Sequence, residues 1–341
     1  MKSKNNSFDG LNRFNLQIEI FENLLQKAAE SKEPAVVLFQ SNARQALFCL
    51  EALARIYKGI HNKKRFERMR LMFKSLEDQL GKIDYYYAYI NEFSAQKNFP
   101  DILLNNLNQH YKHELLILES MLLNDGWLNE NNSILAIIKE ELETADWLNS
   151  KKEKTEIGKS IIGQIEEIED KYDAGILNFN DLEHGLHEFR RQLRWISIYA
   201  QALNGLVQLK IIENSHAKMD IYLTKEVILN PYNKMPPLLI KINPIIIQSA
   251  NFYSLSWLIT ESGNLKDEGL RIICIENAIK ETALVFEKDL KKKTKQLAIN
   301  NHRSPRQIKE EMEILADNFI HEAKVLHRIK RDIKRSISEM D

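Results

Sequence analysis

Residues 186–203 read LHEFRRQLRWISIYAQAL. At about 100° per residue from His187, Arg190, Arg191 and Arg194 fall within about 60° and His184 lies at the edge of that arc. Leu186, Phe189, Leu193, Ile196 and Ala200 form an apolar face rotated roughly 120° away. The segment therefore reads as a helix with one face for packing and a separate stripe of cations. Arginine carries a planar fork of donors that suits phosphate oxygens, and several fixed cations in a row attract a polyanion more than one pair can. Two readings stay open from this spacing: a site for a phosphate-rich ligand, or the solvated side of a bundle helix.

The rest of the chain extends the helical pattern. In 341 residues there are 11 Gly and 7 Pro against a hydrophobic fraction of 44%. Scarce chain breakers and ample apolar content favour long helices around a sizeable core, so the expected class is all-α. Lys plus Arg and Asp plus Glu are both 48. Overall charge thus gives no prior for nucleic acid or an anionic membrane, and nucleic acid is not an expected partner; a polyanion site has to come from local clustering. Cys49 and Cys274 both sit in apolar helical patterns, so cysteine builds neither a disulfide framework nor a zinc site. The opening MKSKNNSFDGLNRF has no apolar secretion segment and no later run reaches a membrane span, which points to a cytoplasmic protein with no membrane partner.

From about residue 14 to 150 the apolar residues recur at helical spacing, predicting a first helical-bundle half of about five helices. The breaks fall at Ser31–Pro34, Gly59–Asn62, Gly81, Phe99–Asp101 and Asp125–Gly126. Pro100 and Asp101 suit a helix start, and Asn124, Asp125 and Gly126 suit a stop. A charged, Gly-containing stretch at 151–179 is the candidate junction. A second bundle half follows at 180–300, interrupted by LNPYNKMPPLLIKINPII at 229–246, whose four prolines exclude a continuous helix and leave a short strand and a packed loop both open. The tail from 303 to 341 begins with Ser304 and Pro305, a good cap and first-turn pair, and reads as one or two final helices ending in a basic one.

The spacing H-x-x-R-[KR]-x-x-[KR] at His187, Arg190, Arg191 and Arg194 resembles the hallmark of the CHAD family, the conserved histidine α-helical domain. The family also places an LG turn followed by Asp after each basic helix, and Leu80, Gly81 and Asp84 in SLEDQLGKIDYYYAYI are similar to it. A weaker copy, SWLITESGNLKDEGLRII, carries Gly263 and Asp267, so the chain reads as an internal repeat. The resemblance implies two related helical bundles forming one elongated domain and a basic central surface that binds inorganic polyphosphate or another polyanion without catalysis. It also implies an equivalent basic helix in the first half, where SNARQALFCLEALARIY at 41–57 keeps Arg44 and Arg55. Ser41 stands in the place of His, and Phe48, Cys49 and Glu51 in the places of cations. LHRIKRDIKRSISEM at 326–340 repeats the spacing of the quoted helix through His327, Lys330, Arg331 and Lys334, while His321, Lys324, Arg328, Arg331 and Arg335 make a second row. The candidate phosphate ligands are accordingly His187, Arg190, Arg191, Arg194 and Arg44, with Lys330, Arg331 and Lys334 from the tail. The alternative is a divergent structural or protein-interaction member that has lost the ligand.

Other patterns carry less. HNKKRFERMR at 61–70 and EKDLKKKTK at 287–295 are basic runs of the kind that serve solubility. EIEDK at 167–171 fits E-x-E-x-K, the signature of triphosphate tunnel enzymes, but that motif needs a strand to direct alternate side chains into a barrel. Glu213 with His216 is a single E-x-x-H pair where a di-iron bundle needs two, and His110, His113 and Glu114 offer at most a loose metal site. Tyr85, Tyr86, Tyr87 and Tyr89 cannot all face one core. No Walker loop, dinucleotide glycine fingerprint or G-x-S-x-G elbow is present. The expectation is a non-enzyme without cofactor, with a metal-dependent phosphohydrolase as a distant third reading.

Overall fold

In the computed structural model, which describes residues 9–128, 134–211, 217–238, 243–299 and 303–338, the chain is essentially all-α. The first half comprises α1 (Asp9–Ala29), α2 (Pro34–Gln40), α3 (Ala43–Tyr57), α4 (Lys63–Ser94), α5 (Asp101–Asn124) and α6 (Ile134–Glu143). Then come α7 (Ser150–Asp173), α8 (Glu188–Ala202), β1 (Val207–Lys210), α9 (Lys225–Leu229), β2 (Ile245–Gln248) and α10 (Ser249–Thr282). The chain ends in α11 (Leu290–Leu297), α12 (Pro305–Asp317) and α13 (Val325–Ser338). Among the described residues no helix is long and apolar enough to cross a membrane.

The helix ends follow local chemistry. The Asn62 side chain accepts from the Arg65 N–H at the start of α4, and Asn149 does the same for Lys152 at the start of α7. Each satisfies one of the N–H groups that a first helical turn leaves without a partner. Ser304 and Gln307 form a reciprocal capping box with Pro305 in the first turn of α12. α5 begins at Asp101 and stops at Asn124, followed by Gly126 at φ 85°, as Pro100 and the Asn-Asp-Gly run predict.

Two predicted boundaries fall elsewhere. Asn42, at φ 58°, separates α2 from α3, a break that the apolar spacing does not announce. Gly81 does not interrupt α4, which runs unbroken from Lys63 to Ser94, and Gly263 likewise lies inside α10. The expected LG turns are helix interior. The charged stretch at 151–179 is mostly α7, a helix whose Ile157, Ile161, Ile162, Ile165 and Ile168 are buried in the core. EIEDK accordingly lies on a helix, where alternate side chains do not share a face.

The Pro-rich interruption opens at Leu229, the last residue of α9, and holds a short turn at Pro231–Asn233 and, after Pro244, the start of the strand β2. β2 pairs in parallel with β1 from Val207↔Ile245 to Lys210↔Gln248. Residues 239–242 lie outside the described residues. The tail forms α12 and α13, joined by a wide turn at Asn318–Glu322.

α3 packs against α1, α4 and α8; α8 packs in turn on α7 and α10, while α13 lies on α7, β2 and α10. One continuous core therefore runs from Phe14 and Phe21 of α1 through Leu50 of α3 and Phe189 of α8 to Ile329 of α13. A second core joins the far ends of the two longest helices, with Tyr89 and Phe93 of α4 against Ile275 and Ile279 of α10. Tyr85 reaches the Cys274 thiol there, and burial beside it pushes the Tyr85 hydroxyl well above its ordinary pKa. Tyr87 instead stays 45% exposed, which divides the tyrosine run between core and surface.

Candidate functional site

α8 meets α3 on one side and α10 on the other, and this geometry sorts its cations. Arg190 and Arg194 lie on the flank nearer the apolar face and are drawn into the junction with α3 and α10. Arg190 donates through Nε to the Ile259 carbonyl of α10 at 3.0 Å. Arg194 sits over the Phe48 ring of α3, 4.3 Å from its centroid. Arg44 approaches the same ring at 5.4 Å, so one aromatic side chain carries two guanidinium groups. Aromatic faces attract cations through their quadrupole, and guanidinium stacks flat on them.

The charges on the two sides are balanced differently. Arg44 donates through Nε and Nη2 to Glu77 Oε1 at 3.0 and 2.6 Å and through Nη1 to Asp84 at 2.8 Å. Arg194 makes no ion pair among the described residues. Burial, reinforced by the neighbouring charges of Arg190 and Arg44 and opposed by Glu77, pushes its pKa down to about 10. Burial also lowers that of Arg190, against the pull of Asp267. The site is therefore a half-buried cluster of three arginines whose carboxylates are concentrated at one end.

Two glycines make room for it. A Cβ at Gly81 would stand 2.8 Å from Arg44 Nη2, and one at Gly263 would stand 3.0 Å from Arg190 Nε. Each long helix thus opens a slot in which a guanidinium lies against backbone, and a side chain at either position would displace it. Arg44 lies against Gly81 and bonds Asp84, while Arg190 lies against Gly263 with Asp267 near enough to act on its charge.

The remaining candidates separate from this cluster. Arg191 points outward and pairs with Glu188 one turn earlier. It borders a small groove of about 150 Å³ that also includes Arg55, Lys171 and Trp195. His187 is half-buried where a wide turn at Leu182–His187 passes into α8, and His184 is exposed beside Asp181. In the tail, Lys330 pairs with Glu169 and Glu166, and Lys334 lies 3.7 Å from Glu166, both carboxylates on α7. Arg331 is exposed on α13. His321 faces Asp173 at 3.4 Å. The structure brings Arg44, Arg190 and Arg194 together and turns Lys330 and Lys334 to α7.

Phe48, Glu77 and the Ile259 carbonyl complete the cluster, and spacing alone missed them. The one available signal was the aromatic residue standing where the family pattern expects a cation.

In the run at 61–70, Arg65 donates to the Glu141 carbonyl, Arg68 pairs with Glu141, and Arg70 with Glu67. His110 hydrogen-bonds Glu281 at 2.6 Å and stacks on Tyr86. Among the described residues no three His, Cys, Asp or Glu side chains converge as metal ligands would; Glu213 and His216 lie outside those residues. No family model, curated protein or solved structure matches this chain.

Proposed function

We propose that the chain is a divergent relative of the CHAD family and that the Arg44, Arg190 and Arg194 cluster binds a polyanion, with inorganic polyphosphate the leading ligand. The observation that carries this reading is Arg194, a largely buried guanidinium with aromatic and cationic neighbours and no carboxylate bonded to it among the described residues. Taking a charge out of water costs several kcal/mol unless a counter-charge and hydrogen bonds replace the water. A phosphate oxygen bridging Arg190 and Arg194 supplies both, through charge-assisted bonds that are about twice as strong as neutral ones. The parallel placement of Arg44 with Gly81 and Arg190 with Gly263 supports two related halves meeting at this point. The protein's role is then to hold the ligand rather than to transform it.

The rival reading is a structural or protein-interaction protein, and one observation favours it. Arg44 is already engaged by Glu77 and Asp84, which leaves only α8 to supply free charge. Binding to long-chain polyphosphate titrated with salt separates the two. Binding weakens steeply with salt, as counterion release requires, and falls at least about tenfold in Arg190→Met/Arg194→Met. Arg191→Ala and Lys334→Ala change it by less than about twofold, because those residues already face Glu188 and Glu166. Absent binding at low salt, or affinity unchanged in the double variant with its fold intact, overturns the proposal.

A further inference from the structure

Arg44, the α3 member of the arginine cluster, is held by two carboxylates of unlike kind. Both come from α4, where Glu77, Gly81 and Asp84 follow one another at helical spacing on the side that meets α3. Glu77 is buried and accepts through one oxygen from both Nε and Nη2, at 3.0 and 2.6 Å. Gly81 lets the same guanidinium lie against the helix backbone. Asp84 is different: its side chain is 55% exposed, and it accepts a single bond from Nη1 at 2.8 Å. Glu77 and Gly81 therefore fix Arg44 in place, while Asp84 occupies the amino group that Glu77 does not bond.

The position of Asp84 matters because of what stands on the other side of Arg44. The Phe48 ring carries Arg44 and Arg194 together, and the charge of Arg44 is close enough to act on Arg194. An anion seated on Arg190 and Arg194 is thus next to Arg44, whose Nη1 is already bonded to a carboxylate. Releasing Glu77 would leave a buried carboxylate unpaired, which is costly. Releasing Asp84 only returns an exposed carboxylate to water, and exposed pairs of this kind contribute little to stability. Of the two counter-charges on Arg44, Asp84 is the one that a ligand oxygen can replace at small cost.

We infer that Asp84 is an autoinhibitory counter-ion of the polyanion site: it holds Arg44 until a ligand oxygen replaces it, and the exchange makes Arg44 a third anchoring point beside Arg190 and Arg194. This rests on the polyanion reading and specifies how that site is regulated. A phosphate oxygen replaces one charge-assisted bond to Nη1 by another, so the exchange is close to balance for a single phosphate. A condensed chain anchored on α8 delivers its next phosphate as part of the same molecule, at a high effective concentration, and tips the exchange. No backbone movement is needed, because Glu77 and Gly81 keep the guanidinium where it lies. The cost of releasing Asp84 appears as a lower affinity for every polyanion that engages Arg44.

The test is binding of long-chain polyphosphate to the full chain at about 0.15 M salt, where exposed charges more than about 8 Å apart are largely screened. Asp84→Asn keeps the shape of the side chain and is expected to raise affinity at least about threefold, with a thermal midpoint close to that of the parent. Asp78→Asn removes an equal charge from an exposed α4 carboxylate that pairs with Lys74 instead, and is expected to change affinity by less than about 1.5-fold. Arg44→Met/Asp84→Asn is expected to bind no tighter than the parent, since the gain requires Arg44. Arg190→Met/Arg194→Met tests the polyanion reading itself: when it weakens binding but Asp84→Asn does not strengthen it, the inference fails and that reading stands. A gain that Asp78→Asn matches, or that survives the loss of Arg44, also overturns the inference. Absent binding by both the parent and Asp84→Asn at low salt overturns the two together.

Discussion

Arg13 and Arg194 are both arginines taken largely out of water, and they are treated in opposite ways. Arg13, 3% exposed, donates through Nη1 to Glu153 at 2.7 Å and Tyr57 at 2.8 Å, and through Nε to the Leu203 carbonyl at 3.1 Å. Tyr57 also donates to Glu153 at 2.9 Å. The charge is matched by a carboxylate that is itself fully buried, and the trio ties α1, α3, α7 and the end of α8 into one unit. Arg194 lies on Phe48 beside two other arginines. Folding explains the first arrangement, whereas the second has no counter-charge bonded to it among the described residues. The contrast teaches that burial of a cation points to a ligand only when the protein has not already supplied the anion.

The same substitution in both places gives the largest test. Arg13→Met leaves Glu153 as an uncompensated buried carboxylate and is expected to cost about 3–5 kcal/mol in urea unfolding. Arg194→Met removes a charge with no ion-pair partner among the described residues and is expected to change stability by less than about 1 kcal/mol, or to raise it. Equal losses at the two positions would make Arg194 a structural residue and favour the rival reading. Adding Glu153→Leu to Arg13→Met is next in size. It is expected to recover about 1–4 kcal/mol, since replacing a whole buried pair by apolar side chains is often neutral; no recovery would show that the Tyr57 and Leu203 bonds carry the unit.

A smaller effect sharpens the ligand side. Gly263→Ala places a methyl 3.0 Å from Arg190 Nε, in a helix interior where Ala is favoured over Gly by about 1 kcal/mol. Polyphosphate affinity is expected to fall severalfold while the thermal midpoint holds or rises. A midpoint that drops with affinity unchanged would mean that the slot serves packing alone.

The smallest effect is a pH dependence near the Arg13 unit. His61 stacks on Tyr57 and packs against Trp147, and burial lowers its pKa against the pull of Asp146. The unfolded chain protonates first on acidification. Its contribution is therefore complete above about pH 6.5 and is lost as pH falls through the lower folded value. His61→Phe is expected to flatten this part of the stability profile between pH 7 and 5; an unchanged slope would move the effect to other groups.

Much of the fold was legible because its cause is local. The apolar spacing of Phe189, Leu193 and Ile196 defines α8, Ser304 and Pro305 open α12, and Asn124 to Gly126 close α5. The glycines were misread for an equally physical reason. Gly81 and Gly263 signal a break only if their neighbour is unknown; with Arg44 or Arg190 beside them, they signal close approach inside a helix. β1 was missed because VQLK is a strand only when β2 lies beside it. The site was half legible. Residue types and helical spacing found Arg190 and Arg194, but a 100° arc contains both flanks of a helix and cannot say that Arg191 turns outward to Glu188.

What the sequence determined by itself is an all-α chain with a basic helix at 187–194, since helix period and capping depend on neighbours a few residues apart. Which of those cations are buried, and which meet a carboxylate, was decided only by the tertiary structure. Arg44 and Glu77 are 33 residues apart and Arg13 and Glu153 are 140 apart. Such pairing arises from the way α3, α7, α8 and α10 pack together, because an ion pair acts over a few ångströms in space and is blind to distance along the chain.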